Sequence, residues 1–323
     1  TLWRKESKYR DLAMNVALMV FVSAYLVMAF EAYFNCFGAQ SDGYNFTRAS
    51  KQWMERYRGP LNSWGYRDAE HKPESFMRKK VLLVVGDSFT WGYCIRNRED
   101  RFSDQLARKL GDPWAVANIA MGGWDTMDEL NALKKAPYKP EVVILQYYLN
   151  DTKHAAKENG LSMLPEDPKV FPLIAPLVES SDLANRVYWN IYRMRMKDRF
   201  QEHWENMKRC YRDPAVWRAH EEEIRAFVDY TRTQDIKLLV VIFPNLTAME
   251  ESRPLCAQVA SAFQQMGEAV LDLTPILAGR APNELVCNPF DAHPNEAVHH
   301  EVAGILYAKL KEMGLVTAAA VGL

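Results

Sequence analysis

Lys80-Val81-Leu82-Leu83-Val84-Val85-Gly86-Asp87-Ser88-Phe89-Thr90-Trp91-Gly92-Tyr93 is the stretch from which the rest of this chain can be read. Val81 to Val85 form an apolar, β-branched run of the kind buried on both faces of a sheet. A glycine turn interrupts the run, and a helical pattern begins near Ser103. Gly86-Asp87-Ser88 therefore lies at the C-terminal end of a buried strand. Ligands bind at that end of open α/β sheets. A serine presented there is placed like a nucleophile; the alternative is an N-cap serine at a strand-to-helix turn.

The same alternation repeats further along the chain. Residues 115–118 read as a short strand and 126–135 as a helix opened by a threonine cap. Residues 142–147 are a strand rich in Val, Ile and Leu. Residues 237–243 form another, stopped by Pro244, and 269–273 the last. Helical patterns fill the gaps, including 221–232 and 251–265. Strands alternating with helices predict an α/β fold with a parallel sheet sandwiched between helices.

Three further motifs follow the serine. Asn118-Ile119-Ala120-Met121-Gly122-Gly123-Trp124-Asp125-Thr126 comes after the second strand. Tyr147-Tyr148-Leu149-Asn150-Asp151 comes after the third, and Asp291-Ala292-His293-Pro294-Asn295 precedes the C-terminal helix. Serine, glycine, asparagine, then aspartate and histidine, in that order and on those elements, resemble the SGNH (GDSL-type) serine hydrolase superfamily. The resemblance spans residues 62–315 and includes the lead-in Asn62-Ser63-Trp64-Gly65-Tyr66-Arg67-Asp68, similar to that of bacterial members. It implies a three-layer α/β/α, flavodoxin-like, mostly parallel sheet. It also implies roles. Ser88 is the nucleophile, His293 its base and Asp291 the group that orients the base. The backbone N–H groups of Ser88 and Gly123 and the amide of Asn150 form the oxyanion hole, with Gly122 as the alternative to Gly123. The superfamily often has Asp-x-x-His where this chain has Asp-x-His. It usually has glycine two residues before the asparagine, where Tyr148 stands. Asp87 reads as structural, as do His299 and His300 in the following helix. Trp91, Tyr93 and Trp124 follow these positions directly; they either line a substrate site or belong to the core.

Residues 12–30 carry no charge between Asp11 and Glu31. At about 1.5 Å per residue they span roughly 28 Å, close to a bilayer core. The run is long for a signal peptide, and no small-x-small cleavage site follows it. It reads as a transmembrane anchor over 12–34. Arg4, Lys5, Lys8 and Arg10 precede it, against Glu6 and Asp11, so the positive-inside rule puts residues 1–11 in the cytoplasm and the rest outside. The expected localisation is the cytoplasmic (inner) membrane, single-pass, with the catalytic domain on the periplasmic or extracellular side. A connector covers 35–79, with a short charged and aromatic helix at 48–58, and the hydrolase-like domain covers 80–323.

Residues 153–215 show no strand pattern and read as a helical insertion. Pro165, Pro168, Pro172 and Pro176 make its first part an extended loop. Residues 181–209 read as one long helix, apolar at Leu183, Val187, Ile191 and Met194. It is basic at Arg186, Arg193, Arg195, Lys197, Arg199, Lys208 and Arg209. That is a solvated face over aromatic packing, or else a lid, a membrane-surface helix or a docking face.

The 323 residues carry a net charge of −1, which leaves no basic excess for nucleic acid. Five cysteines are scattered without a C-x-x-C, which argues against a zinc site. Cys94 follows the serine loop and Cys287 precedes the Asp-His segment; they can meet if both loops line one site, but two free buried thiols are the preferred reading. No metal or phosphate motif is present, and no cofactor is expected. The reading is a membrane-anchored serine esterase acting on a short-chain, acetyl-like O-acyl ester of a glycan or lipid. Its partners would be the bilayer, that substrate and a possible membrane protein. The alternatives are an O-acyltransferase using the same residues, or a docking subunit of a membrane complex that keeps the hydrolase fold.

Overall fold

The computed structural model describes residues 2–43, 45–165, 167–195, 199–289 and 291–316. Lys197 and the last residues of the expected hydrolase domain, 317–323, lie outside the described residues. The chain divides into two units: residues 1–56 with 167–197, and residues 57–166 with 198–323.

The larger unit is built on a five-stranded parallel sheet. Its strands are β1 (Lys80–Gly86), β2 (Trp114–Ala120), β3 (Val142–Tyr147), β4 (Lys237–Ile242) and β5 (Ala269–Asp272), in the order β2-β1-β3-β4-β5. Register pairs Val84 with Asn118 and Ile144, and Leu145 with Val240. Alternate residues of each strand enter opposite cores, the period of two that a strand imposes. Val81, Leu83 and Val85 pack with Leu130, Phe227 and Phe263 from helices Thr126–Lys134, Pro214–Thr233 and Met249–Gln265. Leu82 and Val84 pack with Phe102, Leu106, Val302 and Leu306 from helices Phe102–Leu110 and Glu296–Glu312. Helices on both faces make the three-layer α/β/α fold that the alternation of elements predicts. All five strands are parallel, so the turns after β1, β2 and β3 share the C-terminal edge, and the strand order switches sides at β1.

Several local expectations need correction. β2 is three residues longer than the expected strand, because Trp114 pairs with Lys80 at its start and Ile119 and Ala120 continue the ladder with Val85 and Gly86 at its end. Asp125, not Thr126, caps the next helix: its carboxylate accepts from the Met127 and Asp128 N–H groups at 3.2 Å. A carboxylate at the N-cap satisfies two orphan donors at once. Of the helix expected over 181–209, Asp182–Arg195 and Arg199–Arg212 are helical, and residues 196–198 lie outside the described residues. The proline-rich segment before them is not wholly extended, because Pro176 sits in the first turn of helix Ala175–Ser180, where proline is tolerated. His293 is not on a loop. It lies on β7 (Asp291–Pro294), paired antiparallel with β6 (Val286–Asn288) in a separate two-stranded hairpin.

The smaller unit contains the N-terminal helix Leu2–Phe37, the helix Arg48–Tyr57 and the helices Ala175–Ser180 and Asp182–Arg195. Within the first of these, Tyr9–Phe37 is long and apolar enough to cross a membrane, and its apolar side chains are exposed. Polar contacts cluster at its C-terminal end. Glu31 accepts from Ser181 Oγ at 2.9 Å and from the N–H groups of Asp182 and Leu183 at 2.7 and 3.0 Å. Asp182 in turn takes Arg48 Nε at 2.5 Å and Gln52 Nε2 at 2.9 Å.

Candidate active site

Ser88 opens a single helical turn, Ser88–Trp91, directly after β1. Asp87 caps it, accepting from the Phe89 N–H at 2.9 Å. Burial pushes the Asp87 carboxyl up; the Phe89 N–H bond, the charge of His293 and the amides of Asn150 and Gln146 act against that. Gly86 lets the strand pass close to its neighbour, since a Cβ there would collide with Thr90 Oγ1 and Gln146 Oε1. Gln146 Oε1 accepts from Thr90 Oγ1 (2.8 Å), Thr90 N (3.1 Å) and Asp87 N (3.3 Å), and so holds the turn from beneath. Two buried arginines hold the carbonyls that follow. Arg67 donates to Gly92 O and Ile95 O, both at 2.7 Å. Arg101 donates to Arg67 O at 2.6 Å and pairs with Asp104 at 2.7 Å. Burial, with Arg101 beside it, pushes the Arg67 guanidinium down to about 9.

Ser88 Oγ lies 2.8 Å from His293 Nε2. The other ring nitrogen of His293 meets the carboxylate of Asp291, which also accepts the His293 N–H at 3.0 Å. With Nδ1 protonated toward Asp291, Nε2 is left to accept the serine proton. Burial alone would push the His293 pKa down. The charges of Asp291 and Asp87 and the Asp291 hydrogen bond outweigh it, so the imidazole titrates above its ordinary value of 6.5. Residues 205 positions apart in sequence thus form one hydrogen-bonded row.

Gly123 and Asn150 follow the ends of β2 and β3 on the same edge as Ser88. Gly123 has φ +80°, a left-handed conformation that favours glycine. A Cβ on Gly122 would lie 3.9 Å from the Ser88 Cβ, whereas one on Gly123 would meet nothing within 4 Å. Gly123 O accepts from Lys153 Nζ. Asn150 sits in the 3₁₀ turn Leu149–Thr152, half-buried, with no partner on Oδ1 among the described residues. The Ser88 N–H is the first of its helix, where the helix itself supplies no acceptor.

Sequence reasoning missed the acidic layer below this edge. Glu129 and Asp151 are fully buried; burial and the charges of Asp87 and Asp125 raise both well above ordinary carboxyls, with Asp128 adding to the shift of Glu129 and Glu129 to that of Asp151. Neither carboxylate oxygen of Glu129 has a partner among the described residues. Gln146, Arg67 and Arg101 were missed as well. Gln146 carried a signal: it is the one amide in an otherwise apolar or aromatic strand, β3.

Trp91 and Tyr93 are both buried, yet the Tyr93 ring lies 4.8 Å from that of His293, so this residue is core and site wall at once. Trp124 is half-buried and packs edge-on against Tyr66 at 5.9 Å. Phe89 stacks on Tyr148 at 4.5 Å and lies 5.2 Å from His293. His299 is buried; its Nδ1 accepts from Phe102 N–H at 3.1 Å, and burial pushes its pKa down to about 3. His300 contacts Gln105 at 2.6 Å.

The preferred reading of Cys94 and Cys287 as two free buried thiols is corrected: they form a disulfide, with Cα atoms 6.3 Å apart. The loop after Ser88 and the β6–β7 hairpin approach because both contribute to the serine–histidine contact. Cys210 and Cys256 are free and buried; Cys36 is free and exposed.

No curated protein matches the chain. Among solved structures it is similar to TesA, with 14% identity over 72% of this chain and 99% of that one and a TM-score of 0.45. The psychrotrophic esterase EstA from Pseudoalteromonas sp. shares 13% identity over 73% of this chain and 98% of that one, with a TM-score of 0.44. For Est24, a carbohydrate acetylesterase from Sinorhizobium meliloti, the values are 14%, 73%, 100% and 0.43. The model of the GDSL-like lipase/acylhydrolase family matches residues 84–300, two thirds of the sequence, from the end of β1 into the helix after His293. The chain therefore belongs to the GDSL-like lipase/acylhydrolase family of ester hydrolases.

Proposed function

We propose that the protein is a membrane-anchored serine esterase that removes a short acyl group from a glycan or lipid outside the cytoplasmic membrane. The observation that carries the reading is the row Ser88–His293–Asp291, with 2.8 Å between Ser88 Oγ and His293 Nε2. Ser88 Oγ attacks the ester carbonyl while Nε2 takes its proton; the carbonyl π electrons move to the oxygen. The Ser88 and Gly123 N–H groups and the Asn150 amide stabilise that oxyanion. On collapse the alcohol leaves with the proton from His293, and an acyl-serine remains. Water, deprotonated by the same imidazole, releases the acid and restores Ser88. The rings of Phe89 and Tyr93 crowd the histidine, with Tyr148 stacked on Phe89, which favours a small acyl group. Met121, Gly122 and Gly123, which follow β2 on the edge that carries Ser88, are exposed, which leaves room for a bulky alcohol such as a glycan or lipid.

Two features support the location. Tyr9–Phe37 meets the length and composition of a membrane span. The Cys94–Cys287 disulfide suits an oxidising compartment. The test is a fluorophosphonate probe on the detergent-solubilised full chain, followed by esters of increasing acyl length. Labelling that disappears in Ser88→Ala, with turnover highest on the shortest acyl groups, is the expected result. Near-normal turnover by Ser88→Ala would overturn the assignment. A folded wild-type protein inert to probe and esters would favour the docking-subunit reading instead.

A further inference from the structure

The smaller unit exposes an apolar run beside its N-terminal helix. Between Lys169 and Glu179 the chain carries no charge, and Phe171, Leu173, Ile174 and Leu177 are exposed, Leu173 to 83%. Pro172 and Pro176 are exposed with them. A contiguous apolar surface of this kind marks an interaction site.

Its position is set by the end of the N-terminal helix. Ser181 N donates to Leu177 O at 3.0 Å, and Ser181 Oγ donates to Glu31 at 2.9 Å. Asn35 Nδ2 reaches Asp182 at 3.1 Å. Leu177 is therefore one helical turn, about 5 Å of rise, from a residue hydrogen-bonded to Glu31. Glu31 is the first charge after residues 12–30, and Phe30, Tyr33 and Phe37 are exposed around it. Aromatic side chains at the end of an apolar run mark the level at which hydrocarbon gives way to headgroups. The exposed apolar run thus begins at the level where the helix leaves the bilayer.

We propose that residues 171–177 enter the lipid interface as a second membrane contact beside the N-terminal helix. The occupant is lipid, because the run continues the apolar surface of the helix end to which it is bonded. Lys169, exposed at its start, is placed for an anionic headgroup. An interfacial segment of this kind lies about 5–10 Å into the headgroup and acyl boundary. Two contacts at one level would prevent the unit from tilting or swivelling about a single helix. The inference rests on reading residues 12–30 as a membrane span.

The experiment uses the full chain in the Cys36→Ser background, where the other cysteines are buried or bonded. Leu173→Cys and, separately, Val20→Cys carry an environment-sensitive fluorophore. Each protein is reconstituted into phosphatidylcholine–phosphatidylglycerol vesicles, with its fold checked by circular dichroism. At Leu173 we expect blue-shifted emission, lost to a nitroxide placed shallow in the acyl chain and unaffected by aqueous iodide. At Val20 we expect loss to a deep nitroxide. Iodide quenching at Leu173 with lipid quenching kept at Val20 overturns the second contact and leaves the anchor standing. Absence of lipid quenching at Val20 removes the anchor, and the inference with it. Protection of Leu173 from both quenchers means that protein, not lipid, covers the run, and also overturns the inference.

Discussion

On the proposed mechanism Ser88 and His293, hydrogen-bonded at 2.8 Å, act as one unit, so their losses should not add. Ser88→Ala and His293→Ala should each abolish most turnover of a short-chain aryl ester, and the double variant should cost little more. Asn150→Ala keeps both groups and loses one oxyanion donor, at about a hundredfold to a thousandfold in kcat. Asp291→Asn should cost on the order of a thousandfold or more, because it presents the wrong partner to Nδ1. The pH profile follows from the charge around His293. Its base form must be neutral, and Asp291 and Asp87 hold its pKa above 6.5, so kcat/KM should fall as pH drops through a value above 6.5. An acid limb centred below 6.5 would mean that these carboxylates do not govern the base. Glu129 has the opposite linkage to an ion-paired carboxylate. Its folded pKa is raised, so its drag on stability is absent at low pH and grows as pH climbs above the unfolded value near 4.5. Glu129→Gln should therefore raise Tm at neutral to alkaline pH and leave it unchanged at about pH 4. Equal shifts at both would show that the effect is packing alone.

The β6–β7 hairpin is the element on which the site is most dependent. It carries both Asp291 and His293, consists of two short strands and, among the described residues, pairs with no strand of the main sheet. Cys287 on β6 ties it to Cys94 in the loop after Ser88, across 193 positions of sequence. Such a bond typically contributes about 2–4 kcal/mol. Here its second effect is on register between nucleophile and base. Reduction with dithiothreitol, or the Cys94→Ser/Cys287→Ser pair, should lower both Tm and kcat, with KM for a small ester changing less. Unchanged kcat with both thiols titrated free would show that the hairpin positions His293 unaided. The sequence marked both loops as site-forming through their Gly-Asp-Ser and Asp-x-His motifs. It did not mark the hairpin, because strands of three and four residues leave no periodicity to read.

At the scale of the whole molecule, the proposed function makes the N-terminal helix the element that sets where the reaction takes place. Basic residues precede its apolar run and none follows before Arg48, which favours an extracytoplasmic domain. Cys36 is exposed just beyond that run. In intact bacterial cells expressing the full chain, Cys36 should react with a membrane-impermeant maleimide. Protease added to spheroplasts should digest the domain. Protection of both until lysis would reverse the orientation.

The sequence alone determined the fold class and the edge of the sheet on which the site forms. Both follow from local rules: a strand buried on both faces is a short β-branched run, and in a parallel sheet every such run ends on the same edge. Ser88, Gly123 and Asn150 could be placed for that reason. Only the tertiary structure decided what supports them. The bond between Cys94 and Cys287, the Gln146 amide beneath the serine turn and the Arg67–Arg101 clasp join segments between about 30 and 200 positions apart. Buried polar groups must find partners wherever the folded chain puts them. No local pattern records which partner that will be.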